Sequence, residues 1–114
     1  MAGLVIRTET NGKITIARCE GFIDSETSGV IEETISGLVA KKNVKIILDL
    51  SKVDYVSSAG WGIFVGYIKD LRKAGGDLKI ASMKREVMEI FELLDFTSII
   101  EYYGDTESAA RAFK

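Results

Sequence analysis

Histidine and proline are absent from this 114-residue chain, and cysteine occurs once. Without histidine there is no imidazole to act as base in a Ser-His-Asp or Cys-His pair, and none to hold a metal. Cys19 alone closes no internal disulfide and builds no thiolate zinc site. The lack of proline removes any stiff Pro-rich linker. No apolar run reaches the roughly 18 residues that a membrane span needs. The opening MAGLVIRTET has neither the basic stretch nor the long apolar core of a secretion signal. These features point to a cytoplasmic protein. Positive charge is not in excess either, with 15 Lys and Arg against 17 Asp and Glu. Nucleic-acid binders carry a basic excess or stripe, so neither a nucleic acid nor a membrane is expected as a partner. No cofactor and no metal are expected.

What is present suffices for one core and a solvated surface: 46% of residues are hydrophobic and 28% charged. One domain over residues 1–114 is the expectation, since no repeat, low-complexity tract or shift in composition divides the chain. The β-rich runs LVIRTE (4–9) and KITIARCE (13–20) flank Asn11-Gly12, a strong hairpin signal. From FIDSETSGV onward the pattern turns helical. Asp24 or Ser25 is the expected cap, and Val30, Ile31, Ile35, Leu38 and Val39 form the apolar face. The nearly continuous apolar run VKIILDL (44–50) reads as a central strand covered on both faces. A helix is predicted over 58–73, ended by Gly75-Gly76. There follow a strand at 77–82, an amphipathic helix at 84–95, a weaker strand at 97–103 and a helix over 105–114 opened by Asp105. The order β-β-α-β-α-β-α-β-α implies an α/β domain with a mixed, mostly parallel sheet of four to five strands and about four helices.

Ligand sites in such sheets lie beyond the carboxyl ends of the strands, at the turns into helices. The segment VDYVSSAGWGIFVGYIKDL (53–71) occupies that place, with two serines ahead of three glycines. Ser58 is the expected N-cap, accepting from the amides of Gly60 or Trp61. At 100° per residue, Trp61, Phe64, Val65, Ile68 and Leu71 gather on a core face, with Tyr67 at its edge. Gly62, Gly66, Lys69 and Lys73 fall on the other side. Glycine inside a helix costs roughly 1 kcal/mol against alanine. Two at i, i+4 spacing make a flat strip, either for a neighbouring helix of the same domain or for the backbone of a partner. Cys19 reads as a small buried side chain, and Lys84 and Arg85 as a solvated helix start.

These residues carry a resemblance. EGFIDSETS (20–28) resembles the G-x-ϕ-D stretch, in which ϕ is apolar, of STAS domains in the bacterial anti-sigma factor antagonist family. IILDLSKVDYVSSAGWGIF (46–64) resembles that family's central segment ϕ-ϕ-D-ϕ-S-x-V-x-ϕ-D-S-[SA]-G-ϕ-G. AGGDLKIAS (74–82) and VMEIFELLDFTSII (87–100) match its later segments, so the likeness covers essentially the full length. The resemblance implies a partner switch. Members bind a kinase-type anti-sigma factor when dephosphorylated and so free a sigma factor; the kinase modifies a serine at the start of the second helix; a metal-dependent serine phosphatase resets the system. Aligned on Gly60 and Gly62, that serine is Ser58, with Ser57 as second choice. The implied partner-binding residues are Asp24, Ser57, Ser58, Ala59, Gly60, Gly62 and Gly66. The chain departs from the pattern in having Ser57 where phosphorylated members usually carry Asp, and Phe22 where an acidic residue is frequent.

Two other classes compete. GWGIFVG resembles a dinucleotide loop with its third glycine one residue too far along, and no Walker lysine follows it. Ser58-x-Gly60 is half of a nucleophile elbow, with Val56 in place of the first glycine and no histidine to serve it. No enzymatic activity is therefore expected. The alternative nearest to the switch is a STAS scaffold that binds partners without being phosphorylated.

Overall fold

The computed structural model describes residues 3–113. Strand β1 (Leu4–Asn11) and strand β2 (Ile14–Ile23) form an antiparallel hairpin. Its two-residue turn is Gly12-Lys13, one position later than Asn11-Gly12, with Gly12 in the left-handed region at φ 66°. Then come helix α1 (Ser28–Ala40), strand β3 (Lys45–Val56), helix α2 (Ser58–Lys73), strand β4 (Asp77–Ala81) and helix α3 (Arg85–Leu93). A 3₁₀ turn (Phe96–Ser98), strand β5 (Tyr102–Tyr103) and helix α4 (Thr106–Arg111) complete the described fold. The five strands lie in sequence order, and every pairing after β1–β2 is parallel.

The alternation of β3 divides the molecule into layers. Ile46, Leu48 and Leu50 face a core shared with Ile31 and Ile35 of α1, Phe64 and Ile68 of α2, and Phe91 of α3. Ile47 faces the opposite side, where Ala109 of α4 and Ala81 pack on it. Both faces of the central strand are thus covered, which its apolar run required. On the α4 side, Lys79 is buried between Asp77 and Glu101 and lies over the Phe113 ring. Desolvation opposes its charge, but the Glu101 hydrogen bond and Asp77 hold the ammonium above its usual pKa. Cys19 is buried and its thiol is pushed up to about 12 by desolvation, which makes it an inert packing group.

Three elements differ from the sequence expectation. The central strand does not stop at residue 50: SKVDYV continues it to Val56, paired with β2 through Ile23↔Val56 after register shifts. The shifts replace the period-two pattern with Leu50, Val53 and Val56 as the inward residues, so the stretch read as a loop. The first helix is not capped by Asp24 or Ser25. Thr27 is the N-cap, and the Asp24 carboxylate instead accepts from the amides of Glu26 (3.0 Å) and Thr27 (3.1 Å). Val30 is 39% exposed and leaves the apolar face. The strand expected at 97–103 shrinks to Tyr102–Tyr103 because Phe96 turns back to stack on Trp61, with ring centroids 5.5 Å apart. At the C-terminal helix, Asp105 caps as expected, accepting from Ser108 N–H at 2.7 Å.

Candidate functional site

Helix α2 starts where β3 ends, and the two serines there have different roles. Ser57 is the N-cap, not Ser58. Its backbone is extended (φ −79°, ψ 169°), and its hydroxyl accepts from Gly60 N–H at 3.2 Å. Its own N–H donates to the Ile23 carbonyl at 2.8 Å, which ties the Asp24 loop to the start of α2. Ser58 is the first helical residue. It is exposed, and its hydroxyl has no hydrogen bond among the described residues. The cap geometry gives the cause: the extended Ncap residue turns its oxygen back over the first turn, and the next residue faces solvent.

The glycines also divide. Gly60 is buried, and a Cβ there would come within 2.7 Å of Ile23 Cγ2 and 3.0 Å of Val56 Cγ1. It lets α2 start tight against the strand ends and does not join an outer strip, contrary to its expected place on a partner surface. Gly62 and Gly66 are exposed, and a Cβ on either would meet nothing within 4 Å. Packing inside the domain therefore gives these two glycines no purpose. With Ala59 they line an open groove of about 500 Å³ between α1 and α2, flanked by Glu32 and Asp70. The segment GWGIFVG lies wholly inside α2 rather than on a strand-to-helix loop, so the dinucleotide-loop alternative loses its geometry.

On the other side of α2, Trp61, Phe64, Ile68 and Leu71 are buried, and Val65 is half-buried at the margin. Asp24 is half-buried at the loop beside Ser57, with one carboxylate oxygen occupied by its own turn. Sequence reasoning missed Thr27, whose hydroxyl donates to the Phe22 carbonyl (2.8 Å) and accepts from Asp24 N–H (2.9 Å). A threonine three residues after an aspartate is the pattern of such a closed turn. Also missed was the ion pair of Lys84 with Asp54, which fastens α3 to the end of β3.

The STAS domain family model matches residues 5–109, and the chain belongs to that family. BtrV of Bordetella bronchiseptica, provisionally named an anti-sigma factor antagonist, is 35% identical over 87% of this chain and 85% of its own length. The anti-sigma-B factor antagonist of Listeria monocytogenes is 31% identical over 71% of each. Among solved structures, the anti-sigma factor antagonist SpoIIAA in its unphosphorylated form superposes with a TM-score of 0.79 at 17% identity, covering 95% of this chain and 96% of that one. The phosphorylated form of the same Bacillus protein gives 0.71 at 16%, covering 95% and 99%. At those identities the likeness speaks for the fold. Among the described residues no helix is long and apolar enough to cross a membrane, and no cluster of ligating side chains could hold a metal ion.

Proposed function

We propose that this chain is an anti-sigma factor antagonist that acts as a phosphorylation-controlled partner switch, with Ser58 as the acceptor and the Gly62–Gly66 face of α2 as the docking strip. The observation that carries the reading is the contrast at the helix start. Ser58 offers an exposed, unengaged hydroxyl at the head of a strip that serves no packing within the domain. The names of the Bordetella and Listeria relatives support the partner class, and the phosphorylated form of SpoIIAA supports modification of this kind of domain.

A phosphate on Ser58 adds nearly two negative charges and three acceptor oxygens. The free amides and dipole at the helix N-terminus tolerate it, so the domain stays folded. Against a partner, the same group is a hydrated dianion within the contact. Burying it without matched cations costs several kcal/mol, and binding is lost. The partners in this reading are an anti-sigma factor with serine-kinase activity and a metal-dependent serine phosphatase, and the setting is the cytoplasm. Ser57 stands where phosphorylated members usually carry Asp, which favours as second reading an unmodified scaffold.

Phosphopeptide mapping after incubation with the anti-sigma kinase of the same source and ATP tests the switch. Label is expected on Ser58, and Ser58→Ala should abolish it while preserving binding. Label on Ser57 alone refutes the assignment. No label on either serine, with binding intact, leaves the scaffold.

A further inference from the structure

A second groove lies on the far flank of α2. Strand β3 runs to Val56, whereas its pairing with β4 ends at Asp49↔Ala81. Ser82, at φ 64°, starts the turn that carries the chain away from the sheet into α3. A helix rather than a strand therefore stands beside the last residues of β3. The gap between them is a groove of about 320 Å³ lined by Asp54, Tyr55, Trp61, Glu86, Glu89 and Ile90.

Three features of this groove have no use inside the domain. Its apolar lip is in solvent: Tyr55 is 51% exposed and Ile90 42%, and Leu93, one turn further along α3, is 78% exposed. The Trp61 indole N–H is buried and has no acceptor among the described residues. Buried tryptophan N–H groups normally have one, and leaving a donor unpaired costs about 1–3 kcal/mol. The ring is held by Phe64, Phe91 and Phe96, with centroids 5.3–5.6 Å away. The rim, finally, carries three carboxylates, Asp54, Glu86 and Glu89, against two cations. Lys84 is paired to Asp54 and Arg85 to Glu89, and Glu86 has no ion-pair partner among the described residues.

We propose that this groove between β3 and α3 receives a basic amphipathic helix of a partner protein. Aliphatic side chains would lie against Tyr55, Ile90 and Leu93 and lysines or arginines against Glu86 and Glu89, and seating them would have to part the side chains that cover Trp61, 0% exposed, before a carbonyl met its N–H. Apolar anchors one turn apart on α3 suit the helix-in-groove mode. A second copy of this chain is a poor occupant. A two-fold pairing through this face brings its acidic rim against itself, and like charges across an interface are unfavourable. The proposal does not depend on Ser58 or the glycine strip.

Trp61 is the only tryptophan, so ¹⁵N-labelled protein gives a single indole cross-peak. The probe is a peptide of about 18 residues, long enough to hold a helix, with leucines at i, i+4, i+7 and lysines beside them. The control has glutamate in place of lysine. The basic peptide should move the indole peak and the amides of 54–56 and 85–93. The acidic control should not, and the effect should weaken as salt rises. Glu86→Gln with Glu89→Gln should reduce affinity about threefold to fivefold, with Tm lowered by only a few degrees as Glu86 leaves the helix N-terminus and Glu89 its pair with Arg85. Ile90→Gln should weaken both binding and the indole shift. The proposal is overturned by equal shifts with the acidic peptide, by shifts confined to the α1–α2 groove, or by no shift at about 1 mM peptide. Groove peaks that move on dilution of the protein alone would assign the face to a second copy and overturn it too.

Discussion

On one flank of α2, Trp61, Phe64, Ile68 and Leu71 are at most 1% exposed, while on the other Gly62 and Gly66 would have room for side chains with nothing within 4 Å. The first flank does what an amphipathic helix does in any α/β domain. It removes apolar surface from water, at about 1.5–3 kcal/mol for each large side chain. The second flank acts against stability, because each glycine costs roughly 1 kcal/mol relative to alanine. A helix that gains stability on one side and loses some on the other separates its flanks: one side makes the fold, and the other, in the proposed reading, keeps a surface flat enough for another backbone.

The serines repeat this contrast at the scale of one residue. Ser57 spends its hydroxyl on Gly60 N–H and its N–H on the Ile23 carbonyl. Ser58 has the same side chain and spends its hydroxyl on nothing among the described residues. Substitution should separate what sequence identity does not.

The largest effect is expected on the packing flank. Phe64→Ala removes a fully buried ring that meets Trp61 edge-on at 5.6 Å and should cost about 3–5 kcal/mol in urea denaturation. A loss below about 1 kcal/mol would mean that the flank is not the anchor of α2. Next is Gly60→Ala. The new methyl must displace Ile23 or Val56, and a loss of about 1–3 kcal/mol is expected. A neutral Gly60→Ala would return Gly60 to the outer strip. Smaller still is the serine pair. Ser57→Ala loses the cap, about 1 kcal/mol, whereas Ser58→Ala should stay within roughly 0.5 kcal/mol. Equal losses would show that the two serines share the capping role.

The fold was legible wherever the hydrophobic period was unbroken. The run at 44–50 marked the central strand, and α2 spans the expected 58–73. The two strand failures share one cause, tertiary pairing that overrides a local pattern. SKVDY reads as a turn, yet β2 holds it as strand by a shifted register. TSIIEYY reads as a strand, yet its first residues follow Phe96, stacked on Trp61, into a 3₁₀ turn. At the site, the place of the serine pair and the glycine strip was readable from spacing. Which serine caps was not, because either position satisfies the same sequence rule and only the backbone of Ser57 decides. The opposite groove left no signal, since it arises where β4 ends before β3 does.

The smallest effect on stability carries the most information about the strip. Gly66→Leu places a side chain where no atom of the domain lies within 4 Å of its Cβ. Folding should therefore be unharmed, and the better helix former should stabilise the free domain by about 0.5–1 kcal/mol. The same side chain would fill the groove between Glu32 and Asp70. Calorimetric titration with the anti-sigma factor should then show affinity falling about tenfold or more, since a flat contact cannot absorb the added volume. Denaturation and titration must move in opposite directions. If Gly66→Leu unfolds the domain, the strip belongs to internal packing. If it stabilises the domain and leaves affinity untouched, the partner docks elsewhere and the glycines of α2 lose the role assigned to them.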